Sequence, residues 1–282
     1  MARTWLAAGR PNGGSPRSTA SEGRSADAAQ QDRSERRRRL GPGDAHGVVL
    51  PVHLKSLDAH RARSLPGARA QLVGMRTRLT NMIRGILETY GMLPGSGCGL
   101  RFDRRVEELI QDDQEVGMVV RPLLATLRHV GEQITTFDKA VLRQVWADPT
   151  CRLLMSVPGI GALSSLVYVS TVEDPRRFSL SRAVGAHLGL TPRRYQSGDI
   201  DRSGRISRCG DSLARTLMYE AAIVILHPVK RRSQLSEWAQ AIAQRAGPGK
   251  ARIALARKLS VILHSILRSG EAFRWSAATL RA

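Results

Sequence analysis

The chain has 282 residues, enough to bury a substantial hydrophobic core in one or two domains. Its 44 lysines and arginines outnumber its 24 acidic residues, and the formal net charge of +20 predicts a polyanionic partner, with nucleic acid the first choice. Since no apolar run approaches the roughly 20 residues of a membrane-spanning helix and the N-terminus has no secretory signal pattern, we expect a cytoplasmic protein without membrane contact.

Residues 1–46 consist mainly of Gly, Ser, Ala and Arg, with almost no large apolar side chains and with four consecutive arginines at 36–39. Such a segment cannot bury enough surface to offset an ordering entropy of roughly 1–2 kcal/mol per residue, so we expect it to be disordered. Two interpretations are open: a basic arm that lies on phosphates, or a tail without a folded role.

Two stretches of the middle region have apolar residues at every third or fourth position. The stretch 68–90 predicts one long amphipathic helix. The stretch 104–146 has a nearly heptad apolar seam with Asp113 as a polar interruption, and Pro122 predicts a break or kink between residues 117 and 122. The seam indicates partner helices, either in a bundle within the chain or in a coiled coil that joins two copies into a homo-oligomer.

The remainder predicts shorter elements and a mainly α fold, in which a long helical or coiled-coil middle precedes a compact helical C-terminal domain. Helices are expected at 151–155, 162–172, 181–188, 211–225, 236–244 and 250–267, with a polar loop at 192–207. The predicted divisions are a basic segment 1–46, a helical region 47–150, a C-terminal domain 151–276 and a tail 277–282.

The turn Val157-Pro158-Gly159-Ile160-Gly161 separates two of these helices. Its glycines permit backbone geometries that point the first amides of the next helix at an anion, as in a helix-hairpin-helix element that holds DNA phosphates. Gly159, Ile160 and Gly161 are therefore candidate DNA-binding residues. The alternative is an ordinary turn between helices in which glycine allows close packing.

Between residues 193 and 215 the chain is rich in arginine and serine and poor in apolar residues. The candidate phosphate contacts are Arg193, Arg194, Arg202, Arg205 and Arg208. Ser197 precedes a glycine, and a serine surrounded by arginines is suited to attack a phosphorus atom whose oxygens those cations neutralise. On spacing alone Ser203 and Ser207 are equally eligible, and a solvated turn with phosphate contacts is the competing interpretation.

No metal site or cofactor is predicted in this chain. The three cysteines are far apart, the histidines show no i,i+4 pairing, and the acidic residues form no convincing set of ligands.

Several motifs in order give the chain a resemblance to a known family. They are PVHLKSLDAH at 51–60, GARAQLVGM at 67–75, LMSVPGIG at 154–161, LGLTP at 188–192, QSG at 196–198, GRIS at 204–207, GD at 210–211 and ALARKL at 254–259. Over residues 48–276 the chain thereby resembles the DEDD-type insertion-sequence transposases related to pilin-gene invertases.

The resemblance implies an N-terminal RNase-H-like domain whose four acids bind Mg²⁺, a coiled-coil middle, and a C-terminal domain whose nucleophile corresponds to Ser197. It also implies DNA recombination, guided in some members by a structured RNA. Arg- and Gly-rich sequence stands where the acidic domain is expected, and Asp58 lies beyond the position of the fourth acid. We therefore expect a truncated transposase that is impaired alone but still binds DNA or a guide RNA. The alternatives are a non-enzymatic repressor of transposition that forms mixed oligomers, and a remnant without a stable fold.

Overall fold

The computed structural model describes residues 53–197, 200–227 and 233–274. The predictions made for residues 1–46 and 277–282 lie outside these described residues. Helices account for most of the described chain, and its β structure is one two-stranded antiparallel sheet, so the predicted mainly α fold is confirmed.

The first half contains α1 (Leu57–Thr89), α2 (Leu100–Leu109) and α3 (Gln114–Ala147). The second half contains α4 (Pro149–Leu154), α5 (Ala162–Val172), a 3-10 turn (Pro175–Arg177), α6 (Arg182–His187), β1 (Pro192–Ser197), β2 (Ile200–Ile206), α7 (Ser212–Leu226), α8 (Gln234–Ala246) and α9 (Pro248–Ser269). Among the described residues, no helix is long and apolar enough to cross a membrane.

Helix α1 begins well before residue 68, where its apolar periodicity starts. The Ser56 side chain accepts a hydrogen bond from the backbone amide of Ala59 (3.1 Å) and so supplies an N-cap that starts the helix at Leu57. The helix continues through Pro66, which is buried inside it.

The predicted break between residues 117 and 122 is wrong, because one continuous helix spans them, whereas a kink there stays a prediction. The chain interrupts the helix earlier, between α2 and α3, where the Asp113 side chain accepts a hydrogen bond from the amide of Val116 (2.9 Å) and caps α3. Helix α3 then runs through Pro122. The carbonyl that this proline leaves without a helical partner belongs to Met118, which is 75% exposed, so water can take the place of the missing donor.

The apolar seam of α3 is covered by the chain's own helices. Its core consists of Ile83 and Leu87 from α1, Phe102 and Val106 from α2, and Val116, Val120, Leu124 and Leu127 from α3, with Ile110 between the last two helices. This is the intramolecular packing that the seam allowed. A coiled coil with a second copy stays a prediction, and it would have to use a different face of α3.

A second core organises residues 154–266 around α9, which packs against α6, α7 and α8. Tyr168 of α5 is fully buried there, and its hydroxyl donates a hydrogen bond to the carbonyl of Ser260 (2.5 Å). A small cluster of Val141, Val145, Cys151 and Leu166 joins α3, α4 and α5. The predicted helices of this region are confirmed in position, with ends that differ by a few residues.

The polar loop predicted at 192–207 is instead a β-hairpin. Strand β1 pairs with β2 in antiparallel register, Tyr195 opposite Arg202 and Ser197 opposite Ile200, with an irregularity between Pro192 and Arg194. Every residue of β1 is exposed, so this strand has no buried face and leaves no apolar alternation in the sequence.

Candidate nucleic-acid interface

The glycine turn between α4 and α5 is packed against the protein on one side. The backbone of Gly159 has φ +78°, and a Cβ atom placed there would lie 2.8 Å from the carbonyl oxygen of Ala221 and 3.2 Å from Cγ1 of Ile225, both on α7. Val157 and Ile160 are buried beside it. Close packing, one of the two interpretations of this turn, therefore describes Gly159. Ile160 is buried and its amide already donates to the carbonyl of Val157 (3.1 Å), so it is a poor candidate for a phosphate contact.

Gly161 lies on the open side of the same turn. It is exposed, its φ of −98° suits any residue, and a Cβ atom built on it meets no atom within 4 Å. It is the N-cap of α5, and no side chain caps the first amides of that helix. An uncapped helix start at the surface leaves N–H donors and a partial positive charge directed outward, which suits a phosphate oxygen.

Ser197 is exposed at the end of β1. Because side chains alternate along a strand, Ser197 shares one face of the hairpin with Tyr195 and with Arg202, which stands opposite Tyr195. Ser203 pairs with Arg194 and belongs to the other face. The hairpin therefore separates two serines that the sequence left equivalent.

The predicted arginines differ in whether they are already paired with another group of the protein. Arg194 forms a two-pronged ion pair with Asp201 (2.8 and 2.5 Å), which raises the pKa of Arg194 and lowers that of Asp201. Arg193 donates two hydrogen bonds to the carbonyl of Ser207 (3.3 and 3.0 Å). Arg202, Arg205 and Arg208 are also exposed. The structure thus places all five candidates on or next to the hairpin, and among the residues it describes Arg194 is the candidate that a carboxylate balances.

The base of the hairpin is tied to the end of α6. A Cβ atom on Gly189 would overlap the carbonyl oxygen of Cys209, and one on Gly210 would overlap that of His187, so the two backbones touch. The amide of Ser207 donates to the carbonyl of Thr191 (2.8 Å). The hairpin therefore extends from a fixed root.

Sequence reasoning missed a polar cluster below this root. Arg63 of α1 donates two hydrogen bonds to the carboxylate of Asp211 (2.9 and 2.7 Å), and Asp211 in turn accepts from the amide of Ala214 (2.9 Å) and caps α7. Burial alone would raise the pKa of Asp211, but the hydrogen bonds from Ala214 and Arg63 outweigh it and hold that pKa below its ordinary value of 3.8.

The same cluster includes Lys55, which lies just before α1, and a pair formed by the 3-10 turn and the end of α6. Lys55 donates from Nζ to the carbonyl of Ser170 (3.0 Å), and burial lowers the pKa of its ammonium. Nη2 of Arg177 lies 2.9 Å from Nε2 of His187, whose pKa is lowered first by burial and then by the neighbouring Arg177. A guanidinium always donates, so this nitrogen of His187 accepts and the ring is neutral. The only sequence signal for the cluster was an aspartate directly before an apolar helix, which is an N-cap pattern.

Mg²⁺, which the family resemblance implies for a complete protein, finds no set of ligands in the part of the chain that the structure describes. No group of three or more His, Cys, Asp or Glu side chains is placed there to hold a metal ion. Asp211, the most buried carboxylate of the interface, is already committed to Arg63. We therefore assign no chemical step to a metal bound by these residues.

Comparison with known proteins gives consistent matches. Residues 151–240, which include the glycine turn and the hairpin, match the family model described as Transposase IS116/IS110/IS902 family. The transposase for insertion sequence element IS1111A of Coxiella burnetii is 32% identical over 209 residues, which cover 71% of this chain and 56% of the relative.

Two further relatives fit the same pattern. A putative transposase, y4pF/y4sB, of Sinorhizobium fredii is 31% identical over 203 residues, 70% of this chain and 52% of its own length. The transposase for insertion sequence element IS1328 of Yersinia enterocolitica is 27% identical over 185 residues, 64% and 55% of the two chains. The chain spans about half the length of the curated relatives that it matches.

Proposed function

The chain belongs to the IS116/IS110/IS902 family of insertion-sequence transposases, and we propose that it binds DNA through the hairpin and the glycine turn and presents Ser197 for phosphoryl transfer. The observation that carries the proposal is the exposure of Ser197 at the end of a firmly rooted hairpin that also bears exposed arginines. The names of the relatives support DNA transposition as the process in which the hairpin acts.

Binding is proposed to use the phosphate backbone. Arg193, Arg202, Arg205 and Arg208 are exposed cations, and the uncapped start of α5 offers amide donors. Arginine suits this task because its planar guanidinium stays charged and can donate two parallel hydrogen bonds to a phosphate. Such contacts position DNA without reading its bases, and they weaken steeply as salt rises.

The chemical step would be a transesterification. Oγ of Ser197 attacks the phosphorus of a phosphodiester, the Oγ–P bond forms, the bond from phosphorus to the leaving sugar oxygen breaks, and that oxygen takes up the serine proton. The hairpin arginines would neutralise the charge that develops on the phosphate oxygens. In this proposal a full-length relative in a mixed assembly supplies the metal-binding domain and any RNA guide, and the chain alone has weak strand-transfer activity or none.

The proposal is tested with a nicked suicide DNA and an assembly of this chain with a full-length relative. A covalent phosphoserine adduct should form on this chain, and mass spectrometry should locate it at Ser197. Ser197→Ala should abolish the adduct, whereas Ser203→Ala, on the other face of the hairpin, should leave it intact. If no adduct forms, or if it survives Ser197→Ala, the catalytic role of Ser197 is rejected.

A second candidate is a non-enzymatic repressor that joins mixed oligomers through α3. The observation in its favour is that Leu142 and Trp146, one helical turn apart near the end of α3, are 45% and 59% exposed. These side chains are available to contact a relative, although α1 and α2 already cover the apolar seam of α3. Replacement of both by serine should then reduce the sedimenting mass of the mixed assembly without loss of DNA binding by the chain.

A further inference from the structure

A groove on the C-terminal domain, separate from the hairpin, combines an exposed aromatic ring with three cations. Its volume is about 670 Å³, and Leu180, Trp238 and Val261 form its apolar surface. Arg182, Arg257 and Lys258 lie along the same groove, and none of the residues that line it is acidic.

The groove is built from rigid elements. Its floor is one face of α9, where Arg257, Lys258 and Val261 follow the helical spacing of three and four residues. Trp238 stands at one side on α8, which is held to the core by the buried Leu235 and Ala239.

The other side is the segment that enters α6, which carries Leu180 and Arg182. This segment is anchored because the hydroxyl of Ser181 lies 2.9 Å from Nδ1 of the buried His264. The stem of Arg257 passes close to Gly185 of α6, where a Cβ atom would be 3.0 Å from Cγ of the arginine. The elements that carry the aromatic ring and the cations are therefore held in place by the core, and the stem of Arg257 is packed against α6.

The chemistry of this groove selects a ligand that is flat and apolar in one part and anionic in another. Trp238 is 36% exposed and offers its indole for stacking, and Leu180 is 50% exposed. A nucleotide has both properties, since its base stacks on an aromatic ring while its phosphates meet guanidinium groups. Bases inside a duplex are covered by their neighbours, so the nucleotide must be unpaired. A second copy of this chain is disfavoured as an occupant because it carries the same net charge of +20 as the chain that bears the basic groove.

We infer that this groove binds an unpaired nucleotide of the DNA substrate, with the base stacked on Trp238 and the flanking phosphates on Arg182 and Arg257. The inference rests on the proposed function, because it takes DNA as the ligand. It adds to that function a preference for strands that are open, as they must be where strands are cut and exchanged.

The test measures fluorescence anisotropy of the full chain with a labelled oligo(dT) of about 12 nucleotides and with a labelled duplex. Trp238→Ala should weaken binding of oligo(dT) about 5- to 150-fold, the range for loss of one stacked base. Trp238→Phe, which keeps an aromatic plane, should restore most of it. Tyr90→Ala, which removes an exposed aromatic side chain at the end of α1 and outside the groove, is the control and should have no effect.

Arg202→Ala with Arg205→Ala separates failure of the inference from failure of the proposed function. These hairpin variants should weaken duplex binding, while Trp238→Ala should leave duplex binding unchanged. If the duplex binds through the hairpin but Trp238→Ala binds oligo(dT) like the unmodified chain, only the inference is overturned. If neither DNA binds, the proposed function fails with it.

Two other occupants would show themselves in the same series. Binding of oligo(U) more than about tenfold tighter than oligo(dT), with the excess lost in Trp238→Ala, would assign the groove to RNA and overturn the DNA assignment. A change in sedimenting mass in Trp238→Ala, without a change in oligo(dT) affinity, would assign it to a protein contact. Thermal melts of Trp238→Ala and Trp238→Phe verify that each variant is folded.

Discussion

Replacement of Gly159 by alanine should destabilise the protein far more than the same replacement at Gly161, two residues along the same turn. At Gly159 the added methyl group has no room, because its position is 2.8 Å from the carbonyl oxygen of Ala221 and 3.2 Å from Cγ1 of Ile225. The backbone there also has φ +78°, a conformation that L-residues rarely adopt. At Gly161 neither restriction applies.

The magnitudes follow from these two restrictions. The left-handed conformation costs a non-glycine residue about 1–2 kcal/mol, and overpacking of a filled site costs about 1–3 kcal/mol. Gly159→Ala should therefore lower the free energy of unfolding by about 2–5 kcal/mol, a large part of the 5–15 kcal/mol typical of a domain. Gly161→Ala removes a favourable N-cap residue and should cost less than about 1 kcal/mol.

Urea denaturation followed by far-UV circular dichroism measures both values in the same buffer. The order of the two variants is the decisive result. If Gly159→Ala unfolds at the same urea concentration as Gly161→Ala, then the turn is not packed against α7 and the assignment of Gly159 to close packing fails. A cooperative helical transition in the unmodified chain would also remove the interpretation of the sequence as an unfolded remnant.

Three further predictions use the surroundings of single groups. Gly161→Asp should raise the free energy of unfolding by about 0.5–1 kcal/mol, because the new carboxylate caps α5. In anisotropy titrations the same variant should weaken duplex binding more than Ala125→Asp does, and equal weakening by the two variants would exclude a phosphate at the start of α5. Burial, with a smaller effect from Asp148, raises the pKa of Cys151 to about 12. At pH 8 a thiol reagent should therefore label two of the three cysteines in the folded protein and all three in urea, and mass spectrometry counts the labels. Because the folded-state pKa of Asp211 is lowered, its contribution to stability is complete above about pH 4 and is lost as the pH falls through that lowered pKa. Between pH 7 and pH 3 the urea midpoint of Arg63→Met should therefore fall less steeply than that of the unmodified chain, and an equally steep fall would contradict the pairing.

The helices were predictable because their apolar spacing reports burial directly. Leu255, Leu259, Ile262 and Ile266 recur along α9 at helical intervals, and all four are buried. Helix ends were less predictable, since a polar side chain such as Ser56 can start a helix ahead of its apolar stripe. Pro122 led to a wrong prediction of a break because α3 continues through it, and the carbonyl that loses its helical hydrogen bond there belongs to Met118, an exposed residue.

The hairpin was not predictable from periodicity, although its serine and arginines were singled out. Both faces of β1 are exposed, so no alternation of apolar and polar residues marks the strand. The hairpin is held by backbone hydrogen bonds and by the contacts of Gly189 and Gly210 with Cys209 and His187. Such contacts depend on where distant backbones meet, and the sequence contains no local signal of that meeting.

The ion pair of Arg63 and Asp211 was also missed because a contact between residues distant in sequence leaves no local signal. The two residues are 148 positions apart, and neither lies in a charged pattern of its own. Asp211 caps α7 and is next in sequence to Gly210, which contacts His187 at the root of the hairpin. Its carboxylate also accepts hydrogen bonds from the guanidinium of Arg63 on α1. Breaking the pair leaves a half-buried carboxylate without its cation, which costs more than the pair contributes when intact. The ion pair therefore ties α1 to the root of the hairpin, and its loss should affect both elements.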